Sequence, residues 1–284
     1  MTSNVPTVVL LCHDDDRLDR EGMARWLAST FRLVGMVIIE DTPQRKWRAL
    51  MRERKRSGWS GLADALAFHV HYALTCARAD AAWAADQVAQ LTARYPVALD
   101  GVARIKTTNP NGDETRRFLA ALAPDLVIAR CKHLLKPAIF EIARAGTVAL
   151  HPGICPEYRN AHGCFWAMTR RDLTRVGMTL LRIDRGVDTG TVFLHASCDF
   201  DERHESHVVI QARAVLNNLD AIGRVLQRMA DGTATAIDTT GRDSAVWGHP
   251  RLSAYLKWRR ALRAERRASN EGRAAVTSTG IQHP

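Results

Sequence analysis

Five short apolar runs, each parted from the next by a helical stretch, restrict the fold of this chain more than any other feature. Residues 8–12 (VVLLC) read as a buried strand, and His13-Asp14-Asp15-Asp16 then turns the chain and caps a helix over about 17–31. Residues 33–39 are again strand-like, and Asp41-Thr42-Pro43 sets a capping residue before a proline suited to a first helical turn. A basic amphipathic helix follows to about residue 56, and residues 57–95, rich in Ala, Trp and His at helical spacing, form a helical insertion with no strand of their own. The alternation resumes with a strand at 102–106, a helix from about Asp113, a strand at 124–129, a helix at 137–144 and, after Gly146, a strand at 147–150. Such a pattern predicts an α/β fold, a Rossmann-like, mostly parallel sheet with helices on both faces.

After residue 150 the pattern changes to a Pro, Gly and Cys-rich loop, a helix at 161–170, strands at 177–183 and 191–195, and one long helix over about 205–229. The expected organisation is one α/β domain over residues 1–232, with the 57–95 insertion serving as lid, dimer face or pocket wall, and a basic, partly disordered extension over 233–284.

Charge and cysteine content narrow the function classes. The formal charge is +10, but the last 34 residues carry eight basic side chains against Glu265 and Glu271, so most of the excess is a terminal appendage and nucleic acid is not the favoured partner. No stretch reaches the roughly 18 apolar residues of a membrane span, and no leader is visible, which predicts a cytoplasmic protein that does not enter membranes. The six cysteines lack a CxxC pair and read as reduced thiols. His151, Cys155, His162 and Cys164 match no common zinc spacing, and His69 and His71 point to different sides of a helix, so no metal is expected.

Ligands on open α/β sheets bind beyond the carboxyl ends of the strands. Two loops there are crowded with polar groups: His151-Pro-Gly-Ile-Cys-Pro-Glu-Tyr-Arg-Asn160 and Asp184-Arg-Gly-Val-Asp-Thr-Gly190. An imidazole and a carboxylate on neighbouring loops form a minimal kit for acid–base work near neutral pH, which nominates His151 and Asp188.

The run from Pro124 to Gly190, reading PDLVIARCKHLLKPAIF, then TVALHPGICPEYRNAHGCFWAM, then VGMTLLRIDRGVDTG, resembles the folate-dependent formyltransferase family. That family includes glycinamide ribonucleotide, methionyl-tRNA and sugar amine formyltransferases. The resemblance implies transfer of a formyl group from 10-formyltetrahydrofolate, as co-substrate, to the amine of a small-molecule acceptor. It makes His151 the proton-relaying imidazole and Asp188 the carboxylate that orients it. Cys131, Lys132, His133 and Leu134, with Val187, Thr189 and Gly190, would enclose the pterin, and Tyr158, Arg159, Asn160 and His162 would lie towards the acceptor. The family's asparagine two residues before the histidine is Ala149 here, whose methyl cannot donate a hydrogen bond to a developing oxyanion. His162, Asn160 and His133 are the nearby substitutes. A formyltransferase-fold protein that binds ligand without efficient turnover, hydrolysis of the formyl donor, and a homodimer all remain compatible with the sequence.

Overall fold

The computed structural model describes residues 5–279. The first strand, β1 (Thr7–His13), leads through a π-helical turn at Leu18–Met23 into α1 (Ala24–Thr30) and β2 (Arg32–Ile39). Two long helices follow, α2 (Pro43–Thr75) and α3 (Ala77–Arg94), before β3 (Ala103–Thr107), α4 (Asp113–Leu122), β4 (Leu126–Arg130), α5 (Pro137–Phe140) and β5 (Gly146–His151). The remainder is β6 (Arg159–Asn160), α6 (Gly163–Thr169), β7 (Gly177–Arg182), β8 (Val192–Ser197), α7 (His207–Leu216), α8 (Leu219–Ala230), β9 (Val246–Trp247) and α9 (Leu252–Thr279).

Seven strands form one sheet in the order β3-β2-β1-β4-β5-β7-β8. The first five in that order run parallel, whereas β7 and β8 are antiparallel to their neighbours. The sheet is therefore mostly parallel, as the alternation predicts. Side chains alternate across it. Val8, Leu10, Leu126, Ile128, Val148 and Leu150 face Trp26, Leu27, Ile222 and Leu226 of α1 and α8. Val9, Leu11, Val37, Val127 and Ala129 face Leu119, Ile139 and Phe140 of α4 and α5. Because both faces are covered, β1 is apolar and buried along nearly its whole length.

The helical insertion is present and joins the basic helix before it. Thr42 accepts a hydrogen bond from the Arg45 amide and Pro43 occupies the first turn, so α2 starts where the capping signal predicts. The change of composition near residue 57 coincides with Gly58, whose φ of 70° and ψ of −175° break the helix at a value that a side chain would resist. Leu62 and Phe68 of α2, and Val88 and Leu91 of α3, anchor the insertion to the body.

Three sequence expectations are modified. The helix expected over 205–229 is two helices, broken at Asn217-Asn218, where the Asn218 amide donates to the carbonyls of Ala214 and Ser197. Side-chain capture of main-chain carbonyls is the usual way an asparagine interrupts a helix. The helix expected at 137–144 stops at Phe140. Past residue 232 the chain turns back onto the body: β9 pairs with β6, and Trp258 and Leu262 of α9 are buried with Tyr158 and Cys164. The expected disorder at the chain end concerns residues beyond 279, outside the described residues. Among the described residues no helix is long and apolar enough to cross a membrane.

Candidate active site

His151 ends β5 at the carboxyl edge of the sheet and is buried. Its Nε2 lies 2.8 Å from the carbonyl oxygen of Tyr158. A carbonyl can only accept, so Nε2 carries a hydrogen, and Nδ1 is the nitrogen left for the chemistry. That nitrogen faces Asp188 Oδ2 at 3.5 Å. A separation slightly beyond hydrogen-bond length suits a pair that tightens on substrate.

The loop after His151 is held from below. The Thr179 hydroxyl, opposite His151 in the β5–β7 register, donates to the Gly153 carbonyl at 2.7 Å and accepts from the Cys155 amide at 2.9 Å. Gly153 has no room for a side chain: a Cβ would lie 2.9 Å from His151 Nε2, 2.8 Å from the Tyr158 carbonyl and 2.9 Å from Gly163 Cα. Gly153→Ala is therefore expected to displace the imidazole and lower stability by about 1–3 kcal/mol, the range for overpacking a tight site. Urea denaturation of the two proteins checks this, and an unchanged midpoint would show that the loop yields freely.

Asp188 sits in a turn built by another carboxylate. Asp184 Oδ1 accepts from the Gly186 amide at 2.9 Å and from the Thr189 hydroxyl at 2.7 Å. This holds Asp188 at a φ of 50°, a left-handed conformation that Asp and Asn tolerate better than most residues. Asp188 Oδ2 also accepts from the Asn160 amide at 2.8 Å, and Arg159 donates to the Val187 carbonyl at 3.2 Å. Two hydrogen bonds thus stitch the two polar loops together. Val187 is exposed beside Asp188, whereas the Thr189 hydroxyl is spent on Asp184, and a Cβ at Gly190 would strike the Arg182 carbonyl.

The loop after β4 forms another part of this edge. His13 Nε2 accepts from the Lys132 amide at 3.1 Å, and the rings of His13 and His133 stack 5.5 Å apart. Burial, aided by the nearby Arg45, lowers His133 to about 4, so its ring is neutral. Its Nδ1 is sealed from solvent and has no partner among the described residues. Burial pushes the Cys131 thiol up to about 11, which leaves it protonated and a poor nucleophile. Lys132 and Leu134 are exposed, and the Lys132 charge adds to burial in lowering His13, His162 and His249.

Ala149 stands two residues before His151, on the same face of β5, with its methyl against Cys155, Leu181 and Val192. Of the three substitutes, the Asn160 side chain is already committed, donating to the Trp247 carbonyl. His133 belongs to the His13 stack. His162 lies against His207 and His249, with ring centroids 5.3 Å and 6.2 Å away, and His151 is among the charges acting on it. Burial holds it far below the usual imidazole value, so it is neutral, and its Nδ1 is buried without a partner among the described residues. Tyr158, expected towards the acceptor, is instead buried: its hydroxyl donates to Asp172 at 2.9 Å and its ring stacks on Trp247. Its carbonyl, which fixes the His151 tautomer, faces the site.

Two supports were not anticipated. Arg130, at the end of β4, is partly buried against the buried Asp19 and donates to the Leu150 carbonyl at 2.8 Å, one residue before His151. A charge closing an apolar run was the available signal. Trp247 and His249 arrive from far along the chain, and nothing local announces them. No group of three or more His, Cys, Asp or Glu side chains is placed to hold a metal ion among the described residues.

The sequence model of the formyl transferase family matches residues 40–226, which include both polar loops. The chain belongs to the formyl transferase family. The methionyl-tRNA formyltransferase of Aromatoleum aromaticum is 25% identical over 173 residues, 60% of this chain and 52% of that one. That of Chlorobium limicola is 33% identical over 94 residues, 33% of this chain and 29% of the relative. The chain thus matches about half or less of the length of these curated relatives. The crystal structure of phosphoribosylglycinamide formyltransferase from Anaplasma phagocytophilum is similar in fold, with a TM-score of 0.52 at 12% identity over 86% of this chain and 98% of that one.

Proposed function

We propose that this formyl transferase family member moves a formyl group from 10-formyltetrahydrofolate to the amine of a small-molecule acceptor, with His151 and Asp188 as its acid–base pair. The observation that carries the reading is the approach of His151 Nδ1 to Asp188 Oδ2, at 3.5 Å, on two loops at the carboxyl edge of the sheet. The uncharged amine attacks the formyl carbon, and Nδ1 of His151, backed by the Asp188 carboxylate, takes the amine proton. The same nitrogen returns that proton to the departing nitrogen as the carbon–nitrogen bond of the donor breaks, giving a formamide and tetrahydrofolate. The loops at 131–134 and 187–190 enclose the pterin. The neutral ring of His162 donates to the developing oxyanion in place of the amide that Ala149 lacks.

The test is incubation of the protein with 10-formyltetrahydrofolate and a panel of amines. Absorbance reports tetrahydrofolate, and mass spectrometry reports the formylated amine. Release of formate with no formylated amine would replace the transferase reading by hydrolysis. Tight donor binding with no product would make the chain a binding protein, the outcome that Ala149 favours.

The oxyanion assignment has its own check. Loss of one such donor typically costs about 10²–10³ in rate. With His162 in that role, Ala149→Asn gives little gain alone, His162→Phe loses roughly that factor, and the double variant regains most of it. A large gain from Ala149→Asn alone would remove His162 from the step.

A further inference from the structure

Between α2, the start of α7 and α9 lies a cavity of about 160 Å³ with no wall from the 151–160 or 184–190 loops. Its sides are rings: Phe68, His71, Tyr72, His207, Tyr255 and Trp258. Neighbouring rings touch, with His71–Tyr255 centroids 4.9 Å apart, Phe68–His207 5.5 Å, Phe68–Tyr255 5.6 Å and Tyr72–His207 5.7 Å. The space is close to the roughly 150 Å³ that holds one benzene in an engineered apolar cavity. One six-membered ring therefore fits.

The polar atoms of these walls fall into two groups. The Tyr72 hydroxyl is spent on Asp80 at 2.6 Å and the Trp258 indole on Glu202 at 2.9 Å. By contrast, the ring of His207 has no hydrogen-bond partner among the described residues, although it is only 5% exposed and lines the cavity. The Tyr255 hydroxyl, on the same wall, also has no partner among the described residues, whereas the unpartnered His71 Nε2 is sealed away from the cavity. Native interiors rarely leave such groups empty-handed, and an imidazole and a hydroxyl on one small cavity call for a ligand. Burial alone lowers His207 to about 4, so at neutral pH its ring offers one donor and one acceptor. The charges at the rim balance, with Arg203 and Arg259 against Glu205, and Asp80 accepting from Tyr72 and Ser206 just behind the wall.

We infer that this cavity is a binding site for an uncharged single-ring heteroaromatic molecule that presents a donor and an acceptor on adjacent atoms to His207 and the Tyr255 hydroxyl. The aromatic walls stack on its faces, and the His207 imidazole and the Tyr255 hydroxyl read its edge. Neither His151 nor Asp188 lines it, and although His207 also touches His162, the site is tested by ligand binding and not through formyl transfer.

The probe is 2-pyridone, with benzene as the same ring without a polar edge, followed by calorimetry and ligand-observed NMR on the full chain. Binding of 2-pyridone is expected at about 1 mM or tighter and at least roughly tenfold tighter than benzene. His207→Phe keeps the ring and removes both nitrogens, so it weakens 2-pyridone about tenfold or more and leaves benzene unchanged or tighter. Tyr255→Phe keeps the ring and removes only the hydroxyl, so it does the same more mildly and serves if the first variant does not fold. His151→Ala leaves both affinities alone. Failure of 2-pyridone to bind, binding no tighter than benzene, or indifference to both phenylalanine variants overturns the site.

Discussion

Formyl transfer to an amine by His151→Ala falls by roughly 10²–10⁴ at neutral pH, the usual contribution of a positioned acid–base group, while the chain stays folded. Asp188→Asn separates charge from architecture. Asparagine tolerates the left-handed backbone that Asp188 adopts, and its side-chain oxygen can still accept the Asn160 amide. What it removes is the negative charge facing Nδ1 of His151. A fall of about 10²-fold in kcat with an unchanged melting temperature is therefore expected, within the range for acid–base catalysis. Equal rates for the asparagine variant and the parent protein would remove Asp188 from the proton path. A drop that follows a loss of folded protein would make it a residue of the loop architecture instead.

The alternation of strands and helices along the chain, and the two polar loops that carry His151 and Asp188, were legible because they depend on local signals. Apolar runs such as 8–12 and 147–150 lie on a sheet covered on both faces, and that burial is what makes them continuous rather than alternating. The Asp-x-Gly turn declares its own geometry, since Gly186 and Gly190 stand where a Cβ would meet Thr189 and the Arg182 carbonyl. The break within 205–229 was hidden because Asn217 and Asn218 also tolerate helix, and only Ser197, on a separate strand, completes the capture of the Asn218 amide. Tyr158 was misplaced for a related reason. A Tyr-Arg pair in a polar loop looks solvent-facing until Trp247 and Asp172 close over the ring. The return of residues 246–262 to the catalytic loops depends on contacts spanning some ninety residues, for which no sequence period exists.

Replacing Arg130 with methionine is expected to cost about 3–5 kcal/mol at pH 8, the penalty for leaving one partner of a buried ion pair uncompensated. Arg130 Nε lies 2.9 Å and 3.1 Å from the two oxygens of Asp19, and both residues are withdrawn from solvent. Burial already pushes the Asp19 carboxyl up to about 7, with Arg130 opposing that rise and Asp16 adding to it. Without the cation the folded-state value climbs further above that of the unfolded chain. A carboxyl shifted in this direction is more stable folded when protonated, so its contribution is present at low pH and lost as pH rises through the folded value. The deficit of the variant should therefore shrink as pH falls from 8 towards 7, by at most about 1.4 kcal/mol per pH unit for one proton, and level off below that, where Asp19 of the parent protein is protonated as well. The comparison is made as a difference from the parent protein, because His133 and His207, both lowered by burial, weaken the two proteins alike as the solution becomes acid. Denaturant unfolding at several pH values reads the difference directly. A deficit that does not change with pH would mean that Asp19 is not the group left exposed to the loss. A methionine also cannot donate to the Leu150 carbonyl, which Arg130 holds at 2.8 Å. The end of β5 then loses its lateral tie next to His151, so activity should fall further than stability alone predicts, even at a pH where the fold has recovered.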